Sequence, residues 1–198
     1  MNPREIIDEA VKVLRDGGVI LYPTDTVWGI GCDATNEKAV AKVFEIKRRS
    51  EAKSLVLLAC DLDMVARYIK EIPSIAIDLV EVNDAPMTII YPGAQYLAPN
   101  VVAEDGTVGI RIPCVEDETV QGGGAFCREL VRRLRKPLVS TSANISGEPT
   151  PANFKDISEE IKAAVDYTVP RQLEQGATGK ASQIIKIGLG GEVEIIRA

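Results

Sequence analysis

Histidine is missing from this chain of 198 residues. Without imidazole there can be no Ser-His-Asp or Cys-His catalysis, no histidine-bound zinc and no imidazole general base. The four cysteines never form a Cys-x-x-Cys pair, which disfavours a zinc site. We expect Cys32, Cys60, Cys114 and Cys127 to be buried thiols that pack as small apolar groups.

Long apolar segments are missing as well. No run approaches the ~20 residues that a membrane-spanning helix needs, and the first residues lack the apolar segment of a signal peptide. We therefore expect a cytoplasmic protein with no membrane partner. Aromatic residues make up only 5% of the chain, and 23 Lys and Arg against 29 Asp and Glu give a formal net charge of -6. Both values disfavour RNA binding by base stacking, unless positive charge is concentrated in one place.

The usual nucleotide-binding loops are absent too. Residues 176–181 resemble a Walker loop, but Glu174 stands where the first glycine belongs, and Ala181 replaces the hydroxyl that binds magnesium. The glycines at 122–124 lack the third glycine of a dinucleotide fingerprint and follow no convincing strand. If the protein uses ATP, it does so without a P-loop.

What the chain does contain is an alternation of helical and strand patterns. With 45% hydrophobic and 26% charged residues, it reads as one α/β domain over residues 1–198 with a mixed sheet and flanking helices. The patterns predict helices over about 3–16, 37–47, 75–82 and 126–134, strands at 19–22, 55–59, 87–91, 108–112 and 138–141, and a terminal hairpin of strands 183–187 and 192–197.

Two polar segments stand where this pattern predicts ligand binding. Residues 23–31, PTDTVWGIG, follow the first strand, and open α/β sheets bind ligands at the carboxyl ends of strands. The alternative is a turn that satisfies its own backbone. Residues 47–53, KRRSEAK, concentrate positive charge at a helix end. This cluster is typical of a solvated helix end, but also of a polyphosphate site.

Two further segments carry polar groups at or near strand ends. Arg111 interrupts an apolar strand, so it needs an anion partner, either an internal carboxylate or a ligand. Residues 140–147, STSANISG, follow another strand. Their hydroxyl and amide groups can bind phosphate or carboxylate oxygens, although an ordinary Ser/Asn turn would use the same residues.

Taken in order, these segments resemble the YrdC-like family of threonylcarbamoyl-adenylate synthases. The family's motifs are Pro-Thr-Asp/Glu-Thr, Lys-x-Arg, Gly-x-Arg-x-Pro and Ser-x-Asn, and here they stand at 23–26, 47–49, 109–113 and 142–144. The resemblance covers nearly the whole chain and fits the short, single-domain bacterial form. It implies a twisted mixed sheet with a concave, positively charged ligand face.

The resemblance also implies a reaction. L-threonine, bicarbonate and ATP would give threonylcarbamoyl-adenylate and pyrophosphate, with Mg²⁺ held mainly by the phosphates, no metal ligands from the protein and no organic cofactor. The product would pass to a separate threonylcarbamoyl transferase complex that modifies tRNA. By motif matching, Lys47 and Arg49 would be catalytic; ATP would contact Lys47, Arg49, Lys53, Thr107, Ser142, Asn144, Thr150 and Arg197; threonine would contact Thr26, Arg111, Ser140 and Ser182. Alternate spacing turns Arg48 away from the nucleotide.

Two departures from the family pattern keep alternatives open. Family members often carry proline at the positions of Ser50 and Ser54, and many carry a histidine near Leu58. Because this chain has no histidine, the resemblance implies a differently lined amino-acid pocket. One alternative is a paralogue on the same scaffold with an unknown substrate. The other is an RNA-binding module that uses the basic concave face in tRNA or ribosome maturation.

Overall fold

Helices and strands alternate along the chain in a computed structural model that describes residues 1–50, 55–115 and 122–198. The helices are α1 (Pro3–Arg15), α2 (Glu37–Lys47), α3 (Leu62–Tyr68), α4 (Ser74–Val82), α5 (Gly123–Leu134) and α6 (Glu159–Ala164). The strands are β1 (Ile20–Tyr22), β2 (Gly29–Gly31), β3 (Val56–Leu58), β4 (Met87–Tyr91), β5 (Val108–Arg111), β6 (Leu138–Ser142), β7 (Tyr167–Thr168), β8 (Gln183–Ile187) and β9 (Val193–Arg197). Short 3-10 helices lie at Pro99–Val101, Phe154–Asp156 and Arg171–Leu173. None of these described helices is both long and apolar enough to cross a bilayer.

The first helix shows how sequence sets these boundaries. The side chain of Asn2 accepts a hydrogen bond from the backbone N–H of Glu5 at 3.0 Å, and the Glu5 carboxylate accepts one from the Asn2 N–H at 2.8 Å. This reciprocal cap satisfies donors that a helix start leaves unpaired. Ile6, Ala10 and Leu14 are fully buried along one side of the helix, so α1 is held by its cap and by its apolar face.

The described strands form one mixed sheet in the order β7-β1-β2-β6-β3-β5-β4-β8-β9. Three neighbouring pairs are parallel, namely β1 with β7, β3 with β5 and β4 with β8, and the other pairs are antiparallel. On one side of the sheet, α1 and α5 pack against each other and against β1 and β3. This confirms the predicted α/β domain with a mixed sheet and flanking helices.

Most predicted elements are confirmed to within one or two residues, but β2 is a strand that periodicity did not predict. It has only three residues, two of which are glycines. A Cβ at Gly31 would lie 2.1 Å from the backbone carbonyl oxygen of Val139 on the neighbouring strand. Close strand approach therefore requires glycine here, and glycine erases the side-chain pattern that would identify a strand.

The cysteine prediction is confirmed for three of the four thiols. Cys32, Cys60 and Cys127 are buried, and all four cysteines are free of disulfides. Burial raises the pKa of the Cys60 thiol to about 11, so it stays protonated at neutral pH. Cys114 differs because it is only partly buried, at the point where the chain leaves β5.

Candidate active site

The register of the strands places two arginines on one face of the sheet. Thr88 of β4 lies opposite Arg111 of β5 and, on its other side, opposite Ile184 of β8. Ile184 in turn lies opposite Arg197 of β9. Residues directly opposite one another share a face, and three strand spacings separate the two arginine backbones by roughly 14 Å. This face therefore carries a guanidinium group on either side of a floor formed by β4 and β8.

Arg197 reaches this face because β9 contains a β-bulge. Ile195 pairs with Ile185. The next pair is Arg197 with Ile184, which leaves Ile196 as one residue more than the ladder needs. Under regular alternation, Arg197 would share the face of Ile195 on the opposite side of the sheet. The bulge turns it toward the ligand face, a recognised use of bulges beside functional sites.

The loop after β1 forms a buried polar corner next to Arg111. Asp25 is 3% exposed, and its carboxylate accepts hydrogen bonds from the Arg111 guanidinium and from the backbone N–H of Cys114, the latter at 2.9 Å. The Nη2 atom of Arg111 lies 3.4 Å from the hydroxyl oxygen of Thr26. The anion partner of Arg111 is thus an internal carboxylate. That partner holds the guanidinium in a fixed position at the border of the cleft.

Two glycines allow α5 to begin directly against this corner. A Cβ at Gly123 would lie 2.3 Å from the carbonyl oxygen of Thr24, and one at Gly124 would lie 2.0 Å from the carbonyl oxygen of Cys114. Both oxygens belong to the backbone and cannot move aside, so only glycine fits. A helix start carries positive partial charge, which favours a nearby carboxylate. The glycine run at 122–124 therefore serves the packing of the corner that contains Asp25.

The end of α2 sends consecutive basic residues in different directions. Arg48 adopts a left-handed conformation with φ of 50°. Its guanidinium pairs with Glu160 at 2.6 Å, and both side chains are largely exposed. Arg49 instead borders the cleft, and burial lowers the pKa of its guanidinium from the ordinary value. Arg48 is turned away from the cleft, as the alternate spacing predicts. The same spacing also predicts that Lys47 faces the cleft with Arg49, but Lys47 is not among the lining residues.

Lys47 is 2% exposed and supports the end of β6 from behind. Its Nζ donates hydrogen bonds to the backbone carbonyl oxygens of Ser142 at 2.6 Å and Asn144 at 2.7 Å. Burial, followed by the nearby charge of Arg49, lowers the pKa of Lys47 to about 8. The ammonium group is therefore charged at neutral pH, with two of its three N–H groups committed to the segment that carries the Ser-x-Asn motif.

These elements enclose a cleft of about 290 Å³. Among its lining residues are predicted site residues from seven separate stretches of the chain: Thr26, Arg49, Arg111, Ser140, Ser142, Thr150, Ser182 and Arg197. Val27, Gly29, Val56, Thr141, Ala181 and Ile184 complete the lining. The fold thus brings together hydroxyl groups and three arginines. The positive charge expected over the whole concave face stays a prediction.

The remaining predicted residues lie outside this lining. Lys47 is behind β6, as described. Thr107 lines a neighbouring groove of about 630 Å³, which shares Val56 and Ile184 with the cleft. Lys53 falls outside the described residues. The cleft and the groove thus adjoin at Val56 and Ile184, and together they offer room for a ligand longer than an amino acid.

Asn144 lies beside the cleft with its amide oriented by the backbone. Its Nδ2 donates to the carbonyl oxygens of Ile145 at 3.1 Å and Glu148 at 2.8 Å. Its Oδ1 is buried and has no hydrogen-bond partner within the described part of the chain. Buried acceptors are normally satisfied, so this oxygen is an exception, although Asn144 is not among the residues that line the cleft.

Sequence reasoning left two parts of the site unassigned. Asp25 stood in the Pro-Thr-Asp-Thr motif without a role, although a buried arginine requires a carboxylate partner and this motif contains one. Thr24, 1% exposed, was likewise unassigned. Its partner Thr26 is two residues away, and the contact between their hydroxyl oxygens is 2.9 Å. Only the folded loop reveals that contact.

Comparisons with known proteins show the family to which the chain belongs. A sequence model of the Sua5_yciO_yrdC family, described as "Telomere recombination", matches residues 12–198. The chain belongs to this family. Among curated relatives, a protein named threonylcarbamoyl-AMP synthase from Stenotrophomonas maltophilia is 32% identical over 192 residues, covering 94% of this chain and 96% of that protein. A putative threonylcarbamoyl-AMP synthase from Methanocaldococcus jannaschii is 34% identical over 187 residues, covering 93% and 81%.

A solved structure shares the fold of this Sua5/YciO/YrdC-family chain. The crystal structure of P. abyssi Sua5 complexed with L-threonine superposes with a TM-score of 0.79 at 25% identity, covering 94% of this chain. The chain spans about half of that Sua5 chain, 52% of its length. The similarity therefore extends over one part of the longer protein.

Proposed function

We propose that this chain is a threonylcarbamoyl-AMP synthase, which converts L-threonine, bicarbonate and ATP into threonylcarbamoyl-AMP and pyrophosphate. The observation that carries the proposal is the convergence of Arg49, Arg111 and Arg197 on one cleft lined with hydroxyl groups. Such a cleft suits ligands that carry several negative charges. The curated relatives named for this activity match over most of their length, which supports the same conclusion.

The amino acid is assigned to the end of the cleft near the buried corner. Thr26 and Arg111 are adjacent there, and Ser140 and Ser182 line the same cleft. Because Asp25 already neutralises part of the guanidinium charge, Arg111 offers a carboxylate directed N–H groups more than net charge. A fixed guanidinium fork orients a carboxylate better than a flexible ammonium would.

The nucleotide is assigned to the rest of the cleft and to the adjoining groove. Arg49 and Arg197 are the charged contacts for the phosphates, with Ser142 and Thr150 as hydroxyl donors. Asn144 is retained as a proposed nucleotide contact, because its Oδ1 atom has no hydrogen-bond partner within the described part of the chain. Thr107 lines the groove, where the adenosine would extend. Lys53, outside the described residues, is retained as a proposed phosphate contact.

Charge neutralisation and alignment account for the chemistry without an imidazole base. A carbamate formed from threonine and bicarbonate is an anion that must approach the α-phosphate of ATP. Preorganised positive groups lower the cost of that approach and stabilise the departing pyrophosphate. Arg49 supplies such a charge directly. Lys47 acts beside it by holding the Ser142–Asn144 backbone and by adding a second positive charge behind it.

Magnesium enters the proposal as part of the ATP substrate, held by phosphate oxygens. The charged groups that the described residues contribute to the cleft are guanidinium groups, which repel a bare cation but attract a magnesium–triphosphate complex with net negative charge. In the same proposal the product passes to a separate threonylcarbamoyl transferase complex that modifies tRNA, and the protein acts in the cytoplasm.

Pyrophosphate release from ATP tests the proposal. We expect release only when L-threonine and bicarbonate are both present. Arg49→Ala should lower the rate on the order of a hundredfold, because it removes a charge from the developing transition state. Arg48→Ala is the matched control, since Arg48 forms an exposed ion pair outside the cleft. It should stay within about twofold of the wild type.

Other outcomes point to the alternatives. Release that favours another amino acid would identify a paralogue on the same scaffold, as the absence of histidine first suggested. No release with any amino acid, together with salt-dependent binding of tRNA that Arg49→Ala weakens, would favour an RNA-binding module. Equal pyrophosphate release without threonine would contradict the proposed reaction.

A further inference from the structure

The hydroxyl of Thr24 is surrounded by three hydrogen-bond partners. Its oxygen lies 2.8 Å from the carbonyl oxygen of Val27, 3.0 Å from the backbone nitrogen of Thr26 and 2.9 Å from the hydroxyl oxygen of Thr26. A hydroxyl has one proton to donate and two lone pairs to accept with. The carbonyl oxygen can only accept, so the Thr24 proton must point to Val27.

This assignment determines the direction of the next hydrogen bond. Since the Thr24 proton is used, the hydroxyl of Thr26 must donate to Thr24. The opposite direction would leave the oxygens of Thr24 and Val27 in contact at 2.8 Å with no proton between them. The Thr26 oxygen therefore keeps only lone pairs for its remaining contacts. One of these contacts is the Arg111 Nη2 atom at 3.4 Å, and the cleft lies alongside.

We propose that Thr24 is a positioning residue that fixes Thr26 as a hydrogen-bond acceptor, and that Thr26 accepts an N–H from the amino group of the bound amino acid. The inference rests on the proposed function and names the substrate group that meets Thr26. The nitrogen of threonine bears at least one N–H both in the free amino acid and in its carbamate. One acceptor therefore serves both states, while the Arg111 guanidinium beside it suits the carboxylate.

Calorimetric titration with two ligands tests the contact without any turnover. L-threonine carries the amino group, whereas (R)-3-hydroxybutanoate keeps the carboxylate and the hydroxyl but lacks it. The wild type should bind L-threonine more tightly. Thr26→Val is nearly isosteric but has no acceptor, so it should reduce the affinity ratio between the two ligands by about tenfold or more. Thr26→Ser keeps the acceptor and should preserve the ratio.

The positioning role is tested at Thr24 in the same way. In Thr24→Val the Thr26 proton loses its acceptor and becomes free to point into the cleft, where it competes with the ligand N–H. The affinity ratio should therefore fall, but less than in Thr26→Val, because the Thr26 oxygen keeps its lone pairs. Thr24→Ser keeps the chain of hydrogen bonds and should retain the ratio. ATP affinity and the thermal midpoint, measured for every variant, separate this effect from a general loss of structure. If Thr24→Val does not fold, Thr24→Ala removes the same hydroxyl with less crowding and takes its place.

The outcomes distinguish this inference from the proposed function. If the wild type binds L-threonine but Thr26→Val and Thr24→Val, or Thr24→Ala in its place, leave the ligand ratio unchanged, the hydrogen-bond assignment is overturned and the proposed function stands. If Thr26→Val lowers the ratio but neither Thr24 variant does, the positioning role of Thr24 is overturned. If the wild type binds no L-threonine, the proposed function and the inference fail together.

Discussion

Arg111 and Arg197, which lie on either side of the floor formed by β4 and β8, are held in opposite ways. Arg111 is 3% exposed, and the buried carboxylate of Asp25 fixes its guanidinium. Arg197 belongs to β9, whose five residues are all exposed, and its Nε donates to the backbone carbonyl oxygen of Ser182 at 2.9 Å. One side of the cleft is thus built into the core, and the other is attached to a surface hairpin.

Because of this difference, we expect substitutions on the two sides of the cleft to affect different quantities, stability on one side and ligand binding on the other. Groups fixed by folding cost little further ordering when a ligand binds, whereas an exposed side chain loses freedom at that moment. We expect changes in the buried corner to affect the free energy of unfolding, and changes in the hairpin to affect nucleotide affinity. The amino-acid end of the cleft would then be formed before any ligand arrives.

The largest expected effect is on stability, from Asp25→Ala. Removing the carboxylate leaves the Arg111 guanidinium buried without its partner, which typically costs about 3–5 kcal/mol. Urea unfolding measures this change. Arg197→Ala is the control in the hairpin and should change the free energy of unfolding by less than about 0.5 kcal/mol. Equal losses in both variants would contradict the distinction between the two regions.

A smaller loss of stability is expected where α5 meets the corner. Gly124→Ala would place a methyl group against the backbone of Cys114, and such overpacking costs about 1–3 kcal/mol. Gly190→Ala in the β8–β9 turn is the matched control. Its Cβ would meet the flexible end of the Glu192 side chain at 2.5 Å, which can move away. A stable Gly124→Ala protein would show that the corner is less closely packed than described.

In the hairpin, the expected effect is on ATP affinity. Arg197→Ala should weaken ATP binding about tenfold to a hundredfold, as expected for loss of a charged hydrogen bond, while the unfolding curve stays in place. Deleting Ile196 removes the bulge but still allows the arginine to pair opposite Ile184. This variant should therefore weaken ATP binding less than Arg197→Ala does, although it also removes a residue that lines the groove assigned to the adenosine. Calorimetric titration with ATP measures the affinity of both variants.

If the Ile196 deletion weakened ATP binding as much as Arg197→Ala does, the nucleotide would require the bulge or the Ile196 side chain in the groove, rather than only the face that the arginine occupies. Insertion of one residue between Ile196 and Arg197 provides the converse case. If the pairing of β8 with β9 keeps its register, the insertion turns the arginine to the opposite face. ATP affinity should then fall as much as it does in Arg197→Ala.

The smallest expected effect concerns pH. The pKa of Lys47 is lowered from 10.5 to about 8, so its positive charge is lost as the pH rises through about 8, and ATP affinity should fall about threefold to tenfold. Between pH 8 and 10.5 the unfolded chain binds a proton that the folded chain has released, so this residue makes the free energy of unfolding rise with pH. Lys47→Met has no titrating group at this position. Both the pH dependence of ATP affinity and that of the free energy of unfolding should therefore be lost in this variant.

Much of the fold could be predicted from local sequence patterns. The cap and apolar spacing of α1, the span of α2 and the apolar runs of β4 and β6 each depend on neighbours within a few residues. The polar segments could be recognised as candidate binding segments for a similar reason. Thr26, Arg49 and Ser142 stand in short motifs beside these elements, so the sequence alone located them, and the cleft brings them together.

What the sequence could not reveal depends on contacts between distant segments. The pairing of Asp25 with Arg111 joins residues 86 positions apart, and local pattern cannot choose between that carboxylate and a ligand. Alternation along β9 would place Arg197 on the wrong face, because a bulge depends on pairing with β8. The direction of the Thr24–Thr26 hydrogen bond likewise depends on where the loop brings the Val27 carbonyl. The sequence by itself determined which polar groups are present and which elements carry them. Only the tertiary structure decided their partners, because burial and hydrogen bonding are set by three-dimensional proximity.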